Sequence, residues 1–81
     1  MYKRQPFNPV TNISFVIENE SNIKLSIFDI RGREVDVLVN GLTGQGEHLI
    51  VWDAVDYSSG IYYVQIISQQ YAETQKIMLI K

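Results

Sequence analysis

The sequence has no cysteine, which excludes disulfide staples, thiolate metal sites, redox dithiols and cysteine nucleophiles. It has a single histidine, His48, so any imidazole chemistry has to be assembled around one ring. Its two prolines, Pro6 and Pro9, both stand ahead of the first strand-like segment. No later segment therefore loses a ladder hydrogen bond to proline. Positive charge is scarce. Seven Lys and Arg against nine Asp and Glu give a net charge of −2, and cations cluster only at Lys3-Arg4 and at Arg31 and Arg33 around Gly32. That is not the basic face of a nucleic-acid binder. No apolar run approaches the ~20 residues of a membrane-spanning helix. Met1-Tyr2-Lys3-Arg4-Gln5 carries charge but no apolar stretch follows it, so an export signal is expected upstream, on a longer chain.

What remains is apolar and periodic. The 81 residues make one domain with 46% apolar residues, and without disulfides it must be held by packing alone. The dominant period is two, the mark of half-buried strands. Ile13, Phe15 and Ile17 alternate with polar neighbours, as do Ile23, Leu25 and Ile27. Val35, Val37 and Val39 share one parity, with Leu38 on the other. His48, Ile50 and Trp52 share a face, and Tyr62, Val64 and Ile66 share another. Between these runs lie turn-forming stretches, among them residues 18–22, Asp29-Ile30-Arg31-Gly32, Gly44-Gln45-Gly46, Ser58-Ser59-Gly60 and residues 69–73. The spacing predicts an all-β fold, an Ig-like antiparallel β-sandwich of six to seven strands, the seventh being a brief pairing of Leu42-Thr43. Ile13, Phe15, Leu25, Ile27, Ile50, Trp52, Tyr62, Val64 and Ile66 are expected to face inward. The last run, Ile77-Met78-Leu79-Ile80, is apolar on both parities, so it is expected either between layers or partly covered by a partner.

Candidate chemistry is thin. His48 lacks the companion ligands that zinc needs and reads as a partly buried strand residue. Asp53 and Asp56 fall short of the roughly 6–8 oxygens that calcium takes, and read as turn formers. Gly41-x-x-Gly44-x-Gly46 lacks the lysine and following helix of a phosphate loop. Asn12-Ile13-Ser14 and Asn19-Glu20-Ser21 match the glycosylation pattern by chance. Trp52, Tyr57, Tyr62, Tyr63 and Tyr71 have the ring types of a sugar-stacking platform, but that role is not the expected one: Trp52 and Tyr62 are expected to be buried, with Tyr63 and Tyr71 exposed. No nucleophile, base and stabiliser can be grouped, so neither an enzyme nor a cofactor is expected.

Three stretches carry a resemblance. Pro6-Phe7-Asn8-Pro9 with Thr11, Ile13 and Phe15 forms the first, and Leu25, Ile27, Asp29, Gly32, Arg33, Val35 and Leu38 the second. The third runs from Gly46, His48 and Trp52-Asp53 through Ser59-Gly60-Ile61-Tyr62-Tyr63-Val64 to Lys76-Ile77-Met78 and Lys81. In this order they resemble the type A C-terminal sorting domains of the type IX secretion system. The family usually carries Tyr-Pro-Asn just ahead of the first stretch, whereas here Lys3-Arg4-Gln5 stands there. Residues 1–5 are therefore read as a linker remnant or artefact, and 6–81 as the module. An Ig-like module of flagellar hook-capping proteins shares the Asp29/Gly32, Trp52-Asp53 and Gly60/Tyr62 elements but lacks the Pro6-Phe7-Asn8-Pro9 entry, and stands as the structural or adhesive alternative.

The resemblance implies a non-catalytic signal that directs an upstream cargo, in the same chain, through an outer-membrane translocon to the surface of a Gram-negative bacterium via the periplasm. It further implies removal of the module by a sortase-like peptidase. Recognition is expected at Lys76, Ile77, Met78, Leu79, Ile80 and Lys81, on an edge strand that can pair with another chain.

Overall fold

The computed structural model describes residues 10–80, all of it strand, turn or connection, with no helix. Pro6, Phe7, Asn8 and Pro9, and the terminal Lys81, lie outside the described residues. Six strands follow one another: β1 (Val10–Ile17), β2 (Ser21–Phe28), β3 (Glu34–Thr43), β4 (Gly46–Asp53), β5 (Gly60–Ile67) and β6 (Ala72–Leu79). They form two antiparallel sheets, one of four strands in the order β3-β2-β5-β6 and one of two, β1 with β4. Leu42-Thr43 is not a separate strand. It is the end of β3, paired with Asn22 and Ser21, before the chain crosses to the other sheet at Gly44-Gln45.

Alternation builds the core. Ile23, Leu25 and Ile27 on β2 and Tyr62, Val64 and Ile66 on β5 are buried, as are Ile17 and Trp52 from the two-stranded sheet. Ile13, Phe15 and Ile50 pack against them, partly buried. Every residue expected to face inward does so. The opposite parity of β4 is open, with Leu49 and Val51 exposed.

β3 departs from the expected pattern. Its register with β2 slips twice: Leu25 pairs with Val39 but Ser26 with Val37, and Ile27 pairs with Asp36 but Phe28 with Glu34. Leu38 and Val35 are the extra residues of two bulges. Each bulge shifts the strand by one, which exchanges the faces its side chains meet. The single-parity reading of Val35, Val37 and Val39 is thereby corrected: Val35, Leu38 and Val39 pack on the core and Val37 is exposed.

The same slips present Asp36 to Trp52. The indole Nε1–H donates to Asp36 Oδ2 at 3.1 Å across the two sheets. Tyr57 and Tyr62 complete the cluster, each with its ring centroid 5.4 Å from that of Trp52. Tyr57 OH donates to Val35 O at 2.8 Å and Tyr62 OH to Ser58 O at 2.7 Å, so each polar tip in this apolar cluster is satisfied. Burial, followed by the nearby Asp36 carboxylate, raises the Tyr57 pKa above its ordinary value. Asp36→Ala strands the indole N–H and is expected to cost about 1–3 kcal/mol. Urea unfolding of the variant beside Asp36→Asn, which keeps an acceptor oxygen, measures it; equal stability of all three proteins would remove the role given to this bond.

Candidate functional site

The register sorts the connections into two ends. Val10 pairs with Asp53 and Gly60 with Leu79, so chain entry, the β2–β3 turn, the β4–β5 loop and the end of β6 share one end. Ile17 pairs with Gly46, Ser21 with Thr43 and Ile67 with Ala72, which places the β1–β2 turn, the β3–β4 crossing and the β5–β6 turn at the other.

Most sequence-predicted motif residues serve the fold. Asp29 Oδ1 accepts from the backbone N–H groups of Arg31 and Arg33, both at 2.9 Å, and Oδ2 pairs with Arg33 Nε at 3.0 Å. The Arg33 N–H bond leads the interactions that hold the Asp29 carboxyl below its ordinary value of 3.8. Gly32 closes this turn at φ 84, a conformation that costs other residues strain. Gly60 opens β5, and Tyr62 and Trp52 lie in the aromatic cluster. His48 Nε2 stands 2.7 Å from Gly44 O, so it carries the proton, and the ring stacks on Phe15 at 5.3 Å. Asp53 Oδ1 accepts from Val55 N. Among the described residues no group of three or more His, Cys, Asp or Glu could hold a metal ion.

Of the remaining predicted residues, Lys76, Ile77, Met78 and Leu79 lie on β6 and Ile80 follows it, while Lys81 is outside the described residues. Among the described residues β6 is an edge of the larger sheet, paired with β5 alone. The double apolar parity resolves into alternation. Leu79 is buried (4% exposed) and Ile77 half-buried, while Lys76, Met78 (64% exposed) and Ile80 (75%) are outside. β6 is therefore not sandwiched between layers. Its inner side chains anchor it and its outer ones face solvent.

The sheet has two edges, and they differ. β3 carries two bulges, which disrupt the ladder and discourage pairing with another chain. β6 keeps an unbroken register with β5 from Ala72 to Leu79, so its other side is a regular row of backbone groups with no strand partner among the described residues. On the outer face Lys24 pairs with Glu34 at 3.0 Å, and this bond, with one from Ser26, holds the Glu34 carboxyl below its ordinary value. Arg33 is taken by Asp29, whereas Lys76 has no ion-pair partner among the described residues. Sequence reasoning missed this asymmetry, because bulges on β3 leave no mark in a pattern read one strand at a time.

Neither the comparison with curated proteins nor that with solved structures gives a match. The family model described as a secretion system C-terminal sorting domain matches residues 6–81, which contain both the motif turns and β6, and the chain belongs to that family, the C-terminal sorting domains of the type IX secretion system.

Proposed function

We propose that this domain is a non-catalytic address carried by an upstream cargo, and that β6 is the strand by which the outer-membrane translocon reads it. The observation that carries the reading is the regular free edge of β6, opposite a bulged β3. A receptor strand laid along this edge gains main-chain hydrogen bonds, and the outward Lys76 and Met78 supply selectivity. Passage runs through the periplasm to the cell surface, with a sortase-like peptidase cutting ahead of the folded module. No residue is assigned chemistry of its own.

The test is a reporter enzyme carrying an export signal, fused ahead of residues 6–81 and expressed in a Gram-negative bacterium with a type IX system. Surface proteolysis and fractionation are expected to find the fusion at the surface and the reporter without the module in the periplasm. Retention of the fusion in the periplasm, at normal stability, would replace this reading with a structural or adhesive one.

A further inference from the structure

We propose that the end of the sandwich formed by the β1–β2 and β5–β6 turns is a binding site for a neutral saccharide. A cleft of about 450 Å³ lies there, lined by residues of both turns and by Leu42 at the end of β3. That volume is in the range of small-molecule sites and accommodates one or two sugar rings.

The two ends of the molecule differ in degree in how their polar side chains are used, although Arg31 and Asp56 at the entry end also make no side-chain hydrogen bond among the described residues. At the entry end Asp29, Arg33, Asp53, Tyr57 and Tyr62 are all engaged in hydrogen bonds within the protein. At the cleft end the backbone is closed by serines instead. Ser68 Oγ accepts from the N–H groups of Gln70 and Tyr71, both at 3.2 Å, and Ser21 Oγ donates to Asn19 O at 3.0 Å. The side chains of Glu18, Glu20, Asn22, Gln69, Gln70 and Tyr71 are left without hydrogen-bond partners among the described residues. Planar carboxylates and amides offer acceptors and donors in the paired arrangement that neighbouring sugar hydroxyls, each both donor and acceptor, can use.

Two apolar surfaces accompany them. Tyr71 is 41% exposed, and its ring offers a face to the C–H groups of a pyranose, with its hydroxyl as a further polar contact. Leu42, 67% exposed, lies on the same cleft. Charge sets the class. The lining holds Glu18 and Glu20 and no Lys or Arg, so phosphorylated or acidic sugars are repelled. The site is also separate from β6's terminal residues and from the point where the chain enters, both of which lie at the opposite end.

The experiment is a ¹⁵N–¹H NMR titration of the 81-residue chain. The probes are glucose, galactose, mannose, N-acetylglucosamine and their disaccharides, with a glucuronate disaccharide as the anionic control. At least one neutral sugar is expected to move amides of residues 18–22 and 68–71 at millimolar concentration, with little response to glucuronate. Tyr71→Ala is expected to weaken that binding on the order of tenfold, while Tyr71→Phe keeps the ring and most of the affinity. The parent shift map stands whether or not Tyr71→Ala folds, and Gln70→Ala provides a second, independent loss. The proposal is overturned if no neutral sugar moves these amides, if shifts map elsewhere, or if glucuronate binds equally well.

Discussion

Trp52→Ala is expected to lower the unfolding free energy by about 3–5 kcal/mol, the range for truncating a buried large aromatic. The side chain is 1% exposed and is the largest of those fully buried. It sits where the thin, two-stranded sheet meets the four-stranded one, so its removal leaves β4 without its main contact across the layers. It also removes the ring that Tyr57 and Tyr62 pack against and the donor that satisfies Asp36. Small domains are stable by about 5–15 kcal/mol, and one of this length without disulfides belongs at the low end. Urea unfolding followed by far-UV circular dichroism should show the variant near its midpoint in little or no denaturant. Trp52→Phe should fall between, keeping apolar volume but losing the bond to Asp36. A Trp52→Ala protein as stable as the parent would mean that the aromatic cluster is not what joins the sheets.

Much of this architecture is written plainly in the sequence, because a period of two states which side chains share a face. β5 follows it without interruption and β2 follows it in its apolar side chains, with Ser26 alone buried on the other parity, and both are central strands with neighbours on each side. β3 breaks it, since its two bulges exchange faces at Val35 and Leu38 without any glycine or proline to announce them. Asp36 was illegible for the same reason: a strand aspartate reads as solvent-facing until the bulges present it to Trp52. The division into four and two strands was also hidden, because alternation fixes a face and not a partner. The final run was legible in composition and ambiguous in placement. Four consecutive apolar residues fit a doubly covered strand, and only pairing on one side shows Met78 and Ile80 outside. At the far end, Glu18, Asn22 and Gln70 look like any turn residues in sequence. That their side chains lack hydrogen-bond partners among the described residues is a property of the folded loops.

Removing residues 77–81 from the reporter fusion is expected to abolish surface delivery. Two effects contribute, and they must be separated. The truncation deletes Leu79, which is buried, and half-buried Ile77, so it withdraws two anchors of β6 from the core. Loss of a buried leucine side chain alone costs about 2–5 kcal/mol, a large share of what a small domain has. It also deletes the last three of the eight β6 residues, Ile77 to Leu79, from the edge on which a receptor strand would pair. Lys76→Ala combined with Met78→Ala isolates the second effect. Both side chains are exposed on the outer face, so stability should change by no more than about 0.5 kcal/mol. Delivery should nevertheless fall several-fold while main-chain pairing, which these substitutions leave intact, retains a residue of activity. Leu79→Ala gives the converse, a weakened core beneath an unchanged outer face, and delivery should recover as temperature is lowered and the fold is restored. If the double variant is delivered like the parent while Leu79→Ala fails at every temperature, the machinery reads something other than the outer face of β6.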